Sequence, residues 1–176
     1  MLNPTEYYYL TKPLIADSAI MLKYTLQDLC FREILKVEQK WTEIHERDNR
    51  KRLRFYFSQG PNYSEYVIEN KYENFLLKPF KNDAELRFYV IRQYIKSKLE
   101  KDVHKFKREY VFPDLRRQGL CFLRIFTTSK GKKLRNEITD RVDLIEFSID
   151  FFLETKKKVL ISELEKLGSN VLFLKE

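Results

Sequence analysis

The chain has 176 residues, 43% of them hydrophobic and 34% charged, with a net charge of +8. That is one generous domain or two small ones with ample material for a core. No apolar run reaches the roughly 18–20 residues of a membrane span, the start Met-Leu-Asn-Pro does not read as a secretory signal, and two cysteines, Cys30 and Cys121, exclude a disulfide framework. The cytoplasm is the expected location. The basic charge points to an acidic partner, whether nucleic acid, an anionic membrane surface or an acidic protein, although AT-rich coding produces the same Lys-, Tyr- and Asn-rich composition.

In chain order, a short helix runs to Leu10 with Thr5 as its expected cap, and Pro13 ends it. Asp17 or Ser18 starts a second helix, whose Met21, Leu22, Leu26, Leu29 and Cys30 recur at helical spacing. From Ile34 the period falls to two through Leu35, Val37 and Trp41, and alternation resumes at Leu53, Phe55 and Phe57. That predicts a β-hairpin with a long polar tip, stopped by Gln59-Gly60-Pro61. Residues 61–82 read as a connection. A long helical stripe follows, through Phe88, Ile91, Ile95, Leu99, Val103, Phe106 and Tyr110, until Pro113 forces a new short helix that Gly119 stops. Leu120 to Phe126 is strand, and Thr127, Thr128 and Ser129 cap the next helix. Leu144 to Leu153 is apolar almost all round, which predicts burial. Leu160, Leu164 and Leu167 mark a last stripe, and Val171 to Leu174 forms an apolar tail, tucked into the core or offered to a protein partner.

One phrase occurs twice. Asp28-Leu29-Cys30-Phe31-Arg32-Glu33 and Asp114-Leu115-Arg116-Arg117-Gln118-Gly119 each lead into an aliphatic run, as a helix end, a tight reversal and a strand. The expected architecture is therefore a mostly helical α+β fold. Two winged-helix-like units with β-hairpins, residues 1–60 and 83–142, share a core that a long C-terminal helix and apolar tail, 143–176, close.

Enzyme signatures are missing: no phosphate loop, no nucleophile–base spacing and no metal-ligand pattern. Glu43-Ile44-His45-Glu46 puts an imidazole beside carboxylates but names no further ligand, and His104 reads as part of a solvated charged face. The expectation is a non-enzymatic module with no cofactor and no metal. Its candidate contacts are basic. Arg47, Arg50, Lys51, Arg52 and Arg54 surround the first hairpin tip, where guanidinium groups can reach phosphates. Lys105, Arg108, Arg116 and Arg117 fall on or beside the second unit's helices. Lys130, Lys132 and Lys133 crowd a helix start that favours anions. The helix before the first hairpin presents Ser18, Lys23, Gln27 and Arg32, a poor set for reading bases. Nucleic-acid binding through phosphates is the function expected first. Peripheral binding to an anionic membrane surface is the alternative, and a scaffold or assembly role the third.

Residues 26–38, Leu-Gln-Asp-Leu-Cys-Phe-Arg-Glu-Ile-Leu-Lys-Val-Glu, resemble a segment of the Golgi phosphoprotein 3 family. Asp28, Leu29, Arg32, Leu35, Val37 and Glu38 match its pattern, and Leu2, Glu6 and Leu10 look like its first helix. Glu33 stands where that family has Gly, and Pro13 falls near the place of its pocket aromatic. A similar pattern occurs in winged-helix-like tails of bacterial membrane proteins. The family resemblance implies a peripheral membrane protein that binds a phosphoinositide head group, with Lys105 and Arg108 as phosphate ligands.

Overall fold

The computed structural model of the chain describes residues 2–45, 48–82, 85–100, 102 and 104–174, with side chains described at all of these except 44, 45, 48–50, 152, 154 and 155. The fold is α+β and mostly helical. Helix α1 (Pro4–Thr11) is capped by Asn3, whose side chain accepts from the Glu6 backbone N–H while the Glu6 carboxylate reaches back to Asn3 N. The cap is therefore Asn3 and not the expected Thr5, because Pro4 suits the first helical position. Thr5 is buried instead, its hydroxyl 2.7 Å from that of Thr25 on α2 (Ser18–Phe31). Asp17 caps α2 through Ala19 N.

Strands β1 (Leu35–His45) and β2 (Asp48–Gln59) form the expected antiparallel hairpin, and β3 (Glu85–Arg87) pairs with β2 to complete a three-stranded sheet. Val37, Gln39 and Trp41 oppose Phe57, Phe55 and Leu53. Period two puts these side chains on one face. Only the base of that face, Leu35, Phe57 and Leu86, reaches the core; Val37, Trp41, Leu53 and Phe55 stay exposed.

The connection contains α3 (Lys71–Leu77) and a 3-10 turn (Lys78–Lys81). The long stripe predicted after it is broken. Helix α4 (Phe88–Leu99) ends where Glu100 adopts a left-handed φ of 52°, and a π-helical turn (Lys107–Val111) leads into α5 (Phe112–Arg117). Pro113 lacks the N–H that a continuous α-helix would need there, and the wider turn takes up the change. Strands β4 (Cys121–Leu123) and β5 (Phe126–Thr127) make a short second hairpin. Helix α6 (Ser129–Thr155) and α7 (Lys157–Leu167) follow, then a 3-10 turn (Gly168–Phe173).

The doubled phrase is doubled in the backbone. Ile34 N donates to Leu29 O and Leu120 N to Leu115 O, each at 2.9 Å, and Arg32 N and Gln118 N donate to the Asp28 and Asp114 carbonyls. These are the same helix-ending turn, with Glu33 (φ 57°) and Gly119 (φ 72°) in its left-handed position. Leu29 and Leu115 are both fully buried. The correspondence extends to the returning chain: Gly60 N donates to Ile34 O and Thr128 N to Leu120 O. Two glycines allow that closeness, since a Cβ on Gly60 would lie 2.1 Å from Glu33 O and one on Gly131 2.2 Å from Leu120 O.

Both halves contribute to one core, which runs from Tyr9, Leu29 and Phe57 to Phe106, Leu115 and Ile145. The C-terminal turn is tucked in: the Phe173 ring packs 4.6 Å from Tyr7 and 4.7 Å from Tyr24. The expected burial of Leu144 to Leu153 is not found. Ile145 is buried, but Leu144, Phe147, Phe151 and Leu153 are exposed, Phe147 at 93%; α6 packs chiefly on α7, with smaller contacts to α1 and the C-terminal turn. No helix among the described residues is long and apolar enough to cross a membrane.

Candidate functional site

The basic residues named from sequence fall into groups with different surroundings. Arg47 lies outside the described residues, as does the Arg50 side chain. Lys51 and Arg52 are exposed on β2, and Arg54 is half-buried opposite Lys40, which pairs with Glu38 and Glu85. This face of the hairpin is thus mixed in charge. Lys105 pairs with Glu100 at 3.0 Å, and Arg108 pairs with Asp102 at 3.0 Å and Glu109 at 3.2 Å. Arg117 holds the buried Asp114 and the Glu69 carbonyl. Lys130 donates to Gln118 O, which joins the start of α6 to the end of α5. Arg116, Lys132 and Lys133 are exposed around that junction.

Arg108, named from sequence, also belongs to a second basic site whose grouping with Lys107 and Arg124 the sequence did not show. A pocket of about 150 Å³ is lined by Tyr9, His104, Lys107, Arg108, Phe112 and Arg124. The π-helical turn projects Lys107 and Arg108 into it, and Arg124 comes from the tip of the second hairpin. Tyr9 forms the floor; it is fully buried and its hydroxyl donates to Arg124 O at 2.6 Å. Lys107 Nζ sits 5.7 Å above the Tyr9 ring and donates to Leu14 O at 3.1 Å. Partial burial holds its ammonium below the usual lysine pKa. Two ion-pair partners hold Arg108 on one side, Glu109 and Asp102, and raise its pKa.

The chain segments that carry or touch these cations also expose apolar side chains: Leu14, whose carbonyl accepts from Lys107, with Ile15, and the hairpin that bears Arg124. Leu14 and Ile15 are 70% and 76% exposed. The hairpin tip exposes Phe122, Leu123, Ile125 and Phe126, with the Phe122 and Phe126 rings stacked 5.4 Å apart. The signal for this arrangement was present at Phe122 to Phe126, where five of six residues from Cys121 are apolar and Arg124 interrupts them. Reading Leu120 to Phe126 simply as strand left its exposed apolar face unnoticed.

Of the groups that could do covalent chemistry, Cys30 and Cys121 are free, and burial pushes both thiols up to about 11. No three His, Cys, Asp or Glu side chains among the described residues stand close enough to hold a metal. A cleft of about 550 Å³ lies at the other end of α1 around Asp28, Arg32 and Glu73. Comparison with family models, curated proteins and solved structures gave no match.

Proposed function

We propose that this chain is a peripheral module for anionic membrane surfaces. An anionic head group sits in the pocket of Lys107, Arg108 and Arg124, while Leu14, Ile15 and the Phe122–Phe126 tip enter the interfacial layer. One observation carries this reading: cations from two distant segments converge on one pocket, and the segments beside them, Leu14–Ile15 and the hairpin around Arg124, expose apolar side chains. Patches of that kind mark interaction sites. The magnitudes explain why both parts are needed. Three cations near an anionic leaflet supply about 1 kcal/mol each, roughly a hundredfold in affinity, which is too little for stable attachment without an apolar contribution. The resemblance of residues 26–38 to a family of peripheral membrane proteins points the same way.

Liposome flotation tests it. The protein should float with vesicles containing phosphatidylserine or phosphoinositide and much less with pure phosphatidylcholine. The double variant Lys107→Glu, Arg124→Glu should lose the anionic preference, and Phe122→Ser, Phe126→Ser should weaken attachment to both. Equal flotation on neutral and anionic vesicles overturns the reading.

A second reading, contact with nucleic-acid phosphates, is favoured by the exposed Arg116, Lys132 and Lys133 beside the Lys130 junction. With about six phosphate contacts, affinity for mixed-sequence DNA or RNA would fall on the order of a thousandfold between 50 and 200 mM salt. Lys132→Glu, Lys133→Glu would flatten that slope and leave flotation unchanged. Undetectable binding at low salt removes it.

A further inference from the structure

The large cleft at the N-terminal end of α1 has the opposite character to the rest of this basic chain. Its walls are Asn3 and Glu6 of α1, Asp28 and Arg32 of α2 and its turn, Tyr66, Asn70 and Glu73 around the start of α3, and Asn170 of the C-terminal turn. Three of these side chains are buried carboxylates: Glu6, Asp28 and Glu73. One guanidinium serves two of them, Asp28 and Glu73. Arg32 lies 2.5 Å from Glu73 Oε1 and 2.8 Å from Asp28 Oδ2, and it donates to the Tyr66 hydroxyl at 3.2 Å. Glu73 is fully satisfied, since the Tyr66 hydroxyl and Asn70 donate to its other oxygen. Glu6 accepts from Gln118 Nε2 at 2.7 Å, the Tyr72 hydroxyl at 3.1 Å and Asn3 N at 3.2 Å.

The remaining polar atoms are not satisfied. Asp28 Oδ1, Asn170 Oδ1 and Arg32 Nε are buried without a well-formed hydrogen bond, the Ser169 hydroxyl standing near enough to the Asp28 carboxylate to lower its pKa, and all four residues line the same cleft. Asp28 and Asn170 are 2% and 1% exposed. The orientation of Asn170 follows from its Nδ2, which donates to the carbonyls of Leu2 and Leu167 and leaves Oδ1 as a free acceptor. Leaving such groups unpaired costs about 1–3 kcal/mol each, more when charged. Native structures keep a few of them, often where a ligand or ion completes the set. The open set here is two acceptors, one of them a carboxylate, and one donor. The surrounding charge is four carboxylates, Glu6, Asp28, Glu69 and Glu73, against one guanidinium. The volume lies in the range of small-molecule sites.

We propose that this cleft binds a small primary amine carrying a hydrogen-bond acceptor next to its ammonium group. The ammonium donates to Asp28 Oδ1 and Asn170 Oδ1 and offsets the excess carboxylate charge, and the acceptor takes the Arg32 Nε–H. Small movements of these side chains bring the three atoms to the ligand. A chain of net charge +8 repels free amines in general, so saturable uptake requires a local site of this kind.

The test is a titration of the ¹⁵N-labelled full chain with ethanolamine, followed by amide and Arg Nε–H shifts. The expected result is a saturable change confined to Asp28, Arg32, Glu73 and Asn170 at millimolar ethanolamine. Ethylamine, which lacks the acceptor, should bind about fivefold more weakly, and acetate should leave these signals still. Asp28→Asn should weaken ethanolamine at least about tenfold. No change at these residues in the wild-type chain overturns the proposal, as does equal binding by ethylamine or by Asp28→Asn. If Asp28→Asn does not fold, Glu73→Gln and the ethylamine comparison on the wild-type chain decide. Lys107→Glu, Arg124→Glu should bind ethanolamine normally, which separates this site from the proposed head-group pocket.

Discussion

Glu33 occupies a backbone position that glycine holds in the second copy. A non-glycine residue at a φ of 57° carries a steric cost of about 1–2 kcal/mol, since its Cβ crowds the following carbonyl. Glu33→Gly should therefore raise stability by about 1 kcal/mol and Gly119→Ala should lower it by a similar amount. Urea denaturation of both variants measures this, and shifts of the same sign would show the two turns to be unlike. Glu6 supplies a second residue-scale test. Burial is the largest influence on its carboxyl and raises the pKa above the usual 4.5, against its donors Gln118, Asn3 N and Tyr72. Below that value both states hold the proton. As pH rises, the unfolded chain ionises first, and the stability contributed by the proton on folded Glu6 is lost through the raised native pKa. The stability of Glu6→Gln relative to the wild-type chain should therefore improve as pH rises from about 4 to 7. Asp28→Asn should do the same, because burial raises Asp28 too, with Arg32 and the Ser169 hydroxyl opposing. A difference that stays flat with pH would show that neither proton matters to folding.

At the scale of elements, the repeated unit is a helix end, a left-handed residue and a hairpin. Its anchor is one leucine per copy, Leu29 and Leu115, 86 residues apart and both fully buried. Truncating either to Ala removes core volume that the packed turn beside it cannot refill. Each should cost about 2–5 kcal/mol, readable from the denaturation midpoint. Outside this shared frame the two hairpins diverge. The first is long, with an apolar face that leaves the core after Phe57. The second is a few residues long, and its tip carries Arg124 into the basic pocket. The helical copies diverge as well, since Asp28 reaches Arg32 in the cleft, whereas Asp114 accepts the backbone N–H of Lys71 and so supplies the cap that Asn70 does not give α3.

For the whole molecule, these cross-links tie the halves together. Asp114 caps a helix in the connection, Gln118 donates to Glu6 of α1, and Asn170 near the C-terminus donates to Leu2. With one core spanning both copies, the chain should unfold in a single cooperative step. Far-UV and near-UV circular dichroism followed against urea should give the same midpoint. Two separated transitions would mean that the halves are independent. The same integration places two sites of opposite charge at the two ends of α1, the basic pocket beside Tyr9 and the acidic cleft beside Asn3 and Glu6.

The sequence by itself determined what depends on local spacing. The period change at Ile34, the Gly60-Pro61 stop and the Asp-Leu repeat all act within a few residues, and the hairpin and the paired turns follow from them; the long stripe breaks at Glu100 rather than at Pro113, where the helix runs on through a π-turn. It could not say which apolar faces would find a partner. Leu144 to Leu153 looked like core by hydropathy, yet most of its apolar side chains are exposed, and the strand run Phe122 to Phe126 is exposed around Arg124, which lines the basic pocket. Nor could it join Lys107 to Arg124, or Asp28 to Glu73 and Asn170. Those pairs are separated by 17, 45 and 142 residues, and only tertiary packing decides their distance, because burial and charge depend on the neighbours that long-range contacts bring together.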